Sequence, residues 1–253
     1  MSKEKIALVT GGSRGLGEDM AINLAKKGLH VLLTYHSNKD QADKTVNEVE
    51  KIGRKAYALQ LDVADNQSFD AFADEVKKGV DSHFGASGID FLINNAGIGI
   101  NAPISETTEE QFDALVNIHF KGAFFLTQKL LPILADGGGI VNVSSGLARF
   151  SFPGYSVYGS MKAAIEALTR YQAKELGARQ IRSNVVAPGA IETDFGGGTN
   201  KNDEAKRAAI SNFTALGRVG TPSDIGGVVA FLCTDDAKWI NAQRIEVSGG
   251  MMV

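Results

Sequence analysis

The stretch Thr10-Gly11-Gly12-Ser13-Arg14-Gly15-Leu16-Gly17 decides how this chain is read. It joins a short apolar run at 6–10 to a segment of helical length and period at 15–27. Backbone at such a junction must turn sharply, come close to a ligand and let the helix pack on the strand. Glycine serves all three needs because it has no Cβ. The helix N-terminus that follows offers unpaired N–H groups and a positive dipole end, which suit a pyrophosphate. Glycine-rich strings also occur in plain structural turns. Placement at the first strand-to-helix junction of a βαβ pattern is what points to a dinucleotide, with Gly11, Ser13, Arg14, Gly15, Leu16 and Gly17 facing it.

Outward from this junction the chain alternates regularly. Apolar runs of strand length lie at 6–10, 31–35, 56–61, 91–94, 140–144, 183–187 and 244–247. Segments of helical period lie at 15–27, 39–52, 66–84, 109–134, 157–176 and 223–232. Strands apolar on both faces and separated by crossover helices imply a parallel sheet covered on both sides. The expected class is α/β: a doubly wound, seven-stranded Rossmann fold with helices on both faces. Pro103, Pro132, Pro153, Pro188 and Pro222 fall at helix edges or in loops, as an intact core requires. No linker, repeat or charge block divides the chain, so 1–253 reads as one domain.

Composition excludes other classes. In 253 residues, 26 Lys+Arg oppose 29 Asp+Glu for a net charge of −3, without the clustered basic surplus of a nucleic-acid-binding protein. The 43% apolar content is that of a globular chain. One Cys makes neither an internal disulfide nor a thiolate metal site, which favours the reducing cytoplasm. His30, His36 and His83 lack the partner spacing of a metal site. No apolar run reaches 18 residues and the N-terminus leads straight into a strand-like run, arguing against a membrane span or signal peptide. Cys233 reads as helix packing, Trp239 as packing beneath the last strand, and Gly137–Gly139 as a shortened turn.

The second strand bears on which dinucleotide. An NAD site places an acid at its end for the ribose hydroxyls. Here the strand ends Thr34-Tyr35-His36-Ser37-Asn38-Lys39, with no acid before Asp40. His36 and Ser37 can donate to a 2′-phosphate, and Arg14 can grip it as a forked cation. The pattern favours NADP. Farther on, Ser144-Ser145 closes a strand and Tyr158-Gly159-Ser160-Met161-Lys162 opens a helix. Tyr and Lys four apart share a helix face, where the ammonium would lower the phenol pKa toward working pH. A nearby Ser hydroxyl could donate to a substrate oxygen as charge develops on it.

From about residue 5 to residue 253 the chain resembles the short-chain dehydrogenases/reductases. The matching pieces are Thr10 to Gly17, Asp62-Val63, Asn94-Asn95-Ala96-Gly97, Ser145, Tyr158 to Lys162, Pro188-Gly189 with Thr193, and Val247-Ser248-Gly249-Gly250. Within the family it is similar to the 3-oxoacyl-carrier-protein-reductase-like and ketoreductase branch. The resemblance implies proton donation by Tyr158, orientation of the substrate oxygen by Ser145, and Lys162 on the nicotinamide ribose. Asp62 and Val63 would edge the adenine, Asn95, Ala96 and Gly97 would line the cofactor cleft, and Pro188, Gly189, Ile191 and Thr193 would hold the nicotinamide amide. One position departs: His119 stands where the family has the Asn of a water relay. A near-neutral imidazole there could shuttle a proton, or be a satisfied, partly buried side chain.

The expected substrate pocket comprises Ile98, Leu147, Ala148, Phe150, Tyr155 and Phe195, under a glycine-rich lid at about 194–214. Arg149, Arg179, Lys201, Lys206 and Arg207 are the cations available to an acyl carrier protein, but acids intervene, and a free small ketone is at least as well supported. The reading is an NADPH-dependent carbonyl reductase. Open alternatives are an NADP-dependent dehydrogenase of a sugar, steroid or polyol, and a catalytically impaired dinucleotide sensor. The resemblance also implies a homotetramer built on the helices at 109–134 and 157–176 and the last strand, with the tail Met251-Met252-Val253 buried there.

Overall fold

Each apolar run becomes a parallel strand in the computed structural model, which describes residues 4–253. The strands are β1 (Ile6–Val9), β2 (His30–Tyr35), β3 (Ala56–Gln60), β4 (Ile89–Asn94), β5 (Leu134–Val143), β6 (Arg182–Pro188) and β7 (Arg244–Val247). They form one sheet in the order β3-β2-β1-β4-β5-β6-β7, every neighbouring pair parallel. The helices are α1 (Gly15–Lys26), α2 (Lys39–Lys51), α3 (Phe69–Gly79), α4 (Glu109–Val116), α5 (Ala123–Leu130), α6 (Ser156–Glu175), α7 (Thr199–Asn202), α8 (Glu204–Asn212) and α9 (Gly226–Leu232). The reading against a signal peptide rests partly on residues 1–3, which lie outside the described residues.

Strand side chains alternate between faces. Ala7, Val9, Val31, Leu33, Phe91 and Ile93 join one buried cluster with residues of α1, α2 and α9. Ile6, Leu8, Leu32 and Leu92 join another with residues of α3 and α5. Both parities are buried, which is why the runs look continuous rather than alternating. Strand order reverses between β1 and β4, so the crevice for a ligand opens at their C-terminal ends.

Several boundaries differ from expectation. The helix expected at 109–134 is α4 and α5 joined by a π-helical stretch at Asn117–Gly122, then a 3-10 turn at Leu131–Ile133; Leu134 already belongs to β5. At Gly122 a Cβ would collide with the Val63 carbonyl, so this helix and the loop after β3 meet backbone to backbone. The segment 66–84 likewise splits into α3 and a π-helical turn at Val80–Phe84, and 223–232 into a 3-10 turn at Pro222–Asp224 and α9. Gly137, Gly138 and Gly139 lie inside β5 rather than in a turn before it, and a Cβ on Gly138 would strike the Asp90 carbonyl of the adjoining strand. Trp239 does not pack beneath β7: it is 95% exposed, because the next residue, Ile240, takes the inward place against the core. Cys233 is buried as expected, and burial pushes its thiol up to about 12.

Candidate active site

At the end of β1 the backbone closes on itself. Thr10 Oγ1 accepts the N–H groups of Asn95 (2.9 Å) and Ala96 (3.0 Å) beyond β4. The Asn95 amide donates back to the carbonyls of Thr10 (2.9 Å) and Gly11 (3.3 Å). Gly11 has φ +64°, and a Cβ there would press on Ala96; on Gly17 it would collide with the Gly11 carbonyl. Two loops expected to hold one cofactor are thus stitched together. No side chain caps α1, whereas Asn38 caps α2, Thr108 caps α4 and Asp203 caps α8. The first N–H groups of α1 therefore have no N-cap side-chain acceptor, and Arg14 beside them is exposed with no side-chain partner among the described residues. This cradle of close-packed glycines, an uncapped helix start and an unpaired guanidinium fits a dinucleotide carrying an extra phosphate. His36 lies 3.7 Å from Asp62, both largely exposed, so these two expected contacts meet at one edge. Tyr35 and Ser37 flank His36 at the same strand end.

Ser145 follows β5, and its hydroxyl accepts the Leu147 N–H (3.2 Å) as the cap of a 3-10 turn at Gly146–Ala148. α6 brings Tyr158 and Lys162 to it. Burial raises the Tyr158 phenol pKa, and a hydrogen bond from Ser145 only partly offsets this. The direction is opposite to the depressed phenol expected from the sequence: desolvation of the phenolate outweighs its neighbours. Lys162 Nζ donates to the Val143 carbonyl (2.8 Å) and lies 5.6 Å from the Tyr158 ring centroid. Burial lowers its pKa to about 7.

His119, in the π-helical stretch, packs edge-on against Tyr158 with ring centroids 5.1 Å apart. Its Nε2 lies 2.7 Å from the Ile98 carbonyl and 3.3 Å from the Ile98 N–H; the shorter contact favours the proton on Nε2, with Nδ1 as an acceptor. Burial, then the charge of Lys162, lower its pKa to about 3. The expected near-neutral imidazole is therefore corrected: His119 is uncharged and a poor proton shuttle. Nδ1 of His119 and Oδ1 of Asn94 are both buried acceptors without a protein donor, and both residues line one cavity with Lys162, Thr10 and Ala96.

A family model described as enoyl-(acyl carrier protein) reductase matches residues 11–252. A short-chain dehydrogenase/reductase from a Cladobotryum species is 36% identical over 255 residues, covering 98% of this chain and 96% of the relative. The chain belongs to the short-chain dehydrogenase/reductase family. Another relative of this dehydrogenase/reductase is a hydroxynaphthalene reductase-like protein from Metarhizium brunneum, 36% identical over 97% of this chain and 94% of the relative. The solved angucycline C-6 ketoreductase LanV with bound NADP matches with a TM-score of 0.93 at 35% identity, covering 98% of this chain and 95% of that one.

Around Tyr158 the dehydrogenase/reductase gathers some expected pocket residues and not others. The Phe195 ring lies 6.0 Å from that of Tyr158, and Tyr155 is near enough to raise the phenol pKa further. Ile98 serves through its backbone, holding His119. Leu147 packs by its carbonyl near Gly159. Ala148 closes the turn after Ser145. Phe150 joins Phe152 (5.6 Å) and, through it, Phe213 (5.9 Å). Thr193 lies against Gly15, and Pro188 and Gly189 end β6 beside Val247 and Ser248. Ile191 is buried against Gly220. Gly97 faces His119 so closely that a Cβ would touch the imidazole. Asn94 is the site residue that sequence reasoning left without a role. Its neighbour in Asn94-Asn95 carried the motif, and only the fold shows that its oxygen faces the cavity.

The cations considered for a carrier protein are all engaged within the chain. Arg149 binds Glu246, Lys201 binds Asp194, Arg207 binds Glu192 and Lys206 donates to Thr199. Arg179 bonds the Leu134 carbonyl at the start of β5, at the opposite end of the sheet from Ser145.

Proposed function

We infer that this dehydrogenase/reductase is an NADPH-dependent ketoreductase, with Tyr158 as proton donor, Ser145 as orienter of the substrate oxygen, and Lys162 as the cofactor-side cation of the set. The observation that carries the reading is one hydrogen-bonded constellation, Ser145–Tyr158 with Lys162 beneath, next to a glycine cradle whose Arg14 is unpaired. Bound NADPH supplies the hydride. Ser145 lowers the cost of charge on the carbonyl oxygen by donating to it. Tyr158 stays a neutral phenol in the protein's own field and so holds the proton that a reduced carbonyl needs. Gly11, Ser13, Arg14, Gly15, Leu16 and Gly17 would hold the phosphates, and Lys162 the nicotinamide ribose. His119 contributes a neutral acceptor at Nδ1 beside Lys162, so a sensor reading based on a broken relay loses its main support.

Phe195 over Tyr158 and the Phe150, Phe152 and Phe213 group favour a flat aryl ketone, in line with the hydroxynaphthalene and angucycline names of the relatives. The segment at about 194–214 acts as the lid: Gly196, Gly197 and Gly198 all have positive φ, and Phe195 touches the site from it. A homotetramer fits the exposed Phe112, Phe124 and Tyr171 on α4, α5 and α6. Met251 is not available to such an interface, because it is buried within its own chain, while Val253 is exposed. Among the described residues no helix is long and apolar enough to cross a membrane, and the single buried Cys233 suits a cytoplasmic setting.

The direct test follows NADPH and NADH oxidation against aryl ketones, β-ketoesters, steroids and sugars, with size-exclusion chromatography for assembly. NADPH-dependent turnover of an aryl ketone is the expected result. Tight NADPH binding without turnover of any carbonyl would refute the assignment, and a preference for NADH would remove the phosphate role of Arg14.

A further inference from the structure

A chain of charges leads from Ser144, next to the catalytic Ser145, to the C-terminal tail and on to the lid. It begins at Ser144, whose hydroxyl lies 2.8 Å from Glu166 Oε1 and 3.1 Å from the Lys162 carbonyl. Arg244 donates from Nε to the same Glu166 oxygen (2.6 Å), from Nη1 to Glu246 (2.9 Å) and from Nη2 toward the Ser145 carbonyl (3.4 Å). Arg149 then grips Glu246 with both Nε and Nη2 at 2.9 Å, the forked geometry that fixes direction as well as distance. Burial alone would raise the Glu246 pKa, but Arg149 and Arg244 bring it below its ordinary value.

Beyond Glu246 the connection passes to backbone. Arg149 donates to the carbonyls of Met251 (2.8 Å) and Met252 (3.1 Å). The same tail is paired with the segment that ends α8: Leu216 N–H to Gly249 (3.0 Å), Ala215 N–H to Gly250 (3.1 Å) and Met252 N–H to Phe213 (2.8 Å). Thr214 and Met251 form an antiparallel bridge there. Residues 213–216 are the far hinge of the segment whose other end places Phe195 against Tyr158. Arg149 also lies over the Phe150 ring at 5.3 Å, at the start of the aromatic group that reaches Phe213.

We propose that Arg149 is a positioning residue for the reduction: it ties the tail, and with it the far hinge of the lid, to the strand end that carries Ser145. The role rests on the ketoreductase reading. Four of the five guanidinium N–H groups would be needed at once, to two carboxylate oxygens and two carbonyls, which no ammonium can reproduce. Losing the clamp frees the tail and lets the hinge sample open positions, so ketone capture suffers while the cofactor cradle, at the ends of β1 and β4, keeps its own hydrogen bonds.

The test uses the full-length protein with Arg149→Gln, Arg149→Lys and a chain shortened by residues 251–253. Ketone and NADPH kinetics are measured together with the rate of limited proteolysis within 196–203 of the cofactor-free protein. For Arg149→Gln and the shortened chain, kcat/KM for the ketone is expected to fall about tenfold, and cleavage to quicken by a similar factor, as for loss of one charge-assisted contact. KM for NADPH should stay within about twofold, and Arg149→Lys should recover only a minor part. Unchanged ketone kinetics and cleavage in Arg149→Gln would overturn the proposal, as would equal losses toward ketone and NADPH or full rescue by Lys. A wild-type protein without ketoreductase activity would instead overturn the functional reading; unchanged cleavage in that background would overturn the clamp as well.

Discussion

Replacing His119 with Asn isolates what it costs to keep an imidazole uncharged inside the site. Burial, reinforced by the Lys162 charge, lowers the His119 pKa from 6.5 to about 3. At about pH 7.5 folded and unfolded chains both carry a neutral imidazole, and the group adds nothing to the pH dependence of stability. As pH falls below 6.5 the unfolded chain binds a proton that the folded chain refuses until about pH 3, so the folded state loses stability. Each pH unit well inside that window amounts to about 1.4 kcal/mol, and by about pH 5 the loss reaches about 2 kcal/mol. Asn does not titrate, whereas Lys162 is common to both proteins. Urea unfolding at about pH 7.5 and about pH 5, at one protein concentration and ionic strength, gives the comparison. Whatever the stability offset at the higher pH, it should move by about 2 kcal/mol in favour of His119→Asn at the lower. An offset constant to within about 0.5 kcal/mol would refute the reasoning, because His119 would then be protonated as easily folded as unfolded.

Three further outcomes follow from the same geometry. Tyr158→Phe should retain NADPH binding and lose nearly all ketone reduction, while His119→Asn keeps substantial activity; steady-state rates of Tyr158→Phe near wild type would defeat the mechanism. Arg14→Glu should raise KM for NADPH by about tenfold or more and change KM for NADH by less than about threefold, since only the former carries the phosphate that Arg14 would grip. Lys162, lowered to about 7 by burial, loses its ammonium as pH rises through that value. Accordingly kcat/KM for NADPH should fall above about pH 7 in the wild type, and a flat profile to about pH 9 would contradict the ribose role.

Much of this was legible locally. The alternation of apolar runs and helical segments predicts every strand, because a sheet buried on both faces needs apolar side chains at both parities. The junction at Thr10 to Gly17 and the four-residue spacing of Tyr158 and Lys162 depend only on neighbours in the chain, so they could be read directly. Trp239 and Met251 were misplaced for the opposite reason. Whether a large side chain faces inward depends on what the next residue or a distant segment offers, here Ile240 and Thr214.

The amino-acid sequence by itself determined the order of elements, the glycine cradle and the identity of the reacting side chains, since these follow from period and from short-range spacing. Only the tertiary structure decided their protonation and their ties. The pKa values of Tyr158, Lys162 and His119 are set by burial, which sums contributions from β4, β5 and three helical segments at once. The ladder from Ser144 through Glu166, Arg244, Glu246 and Arg149 to the tail joins residues as far apart as Arg149 and Met252. No pattern along the chain records that contact, because the fold alone brings a loop after β5, an edge strand and the C-terminus within hydrogen-bond distance.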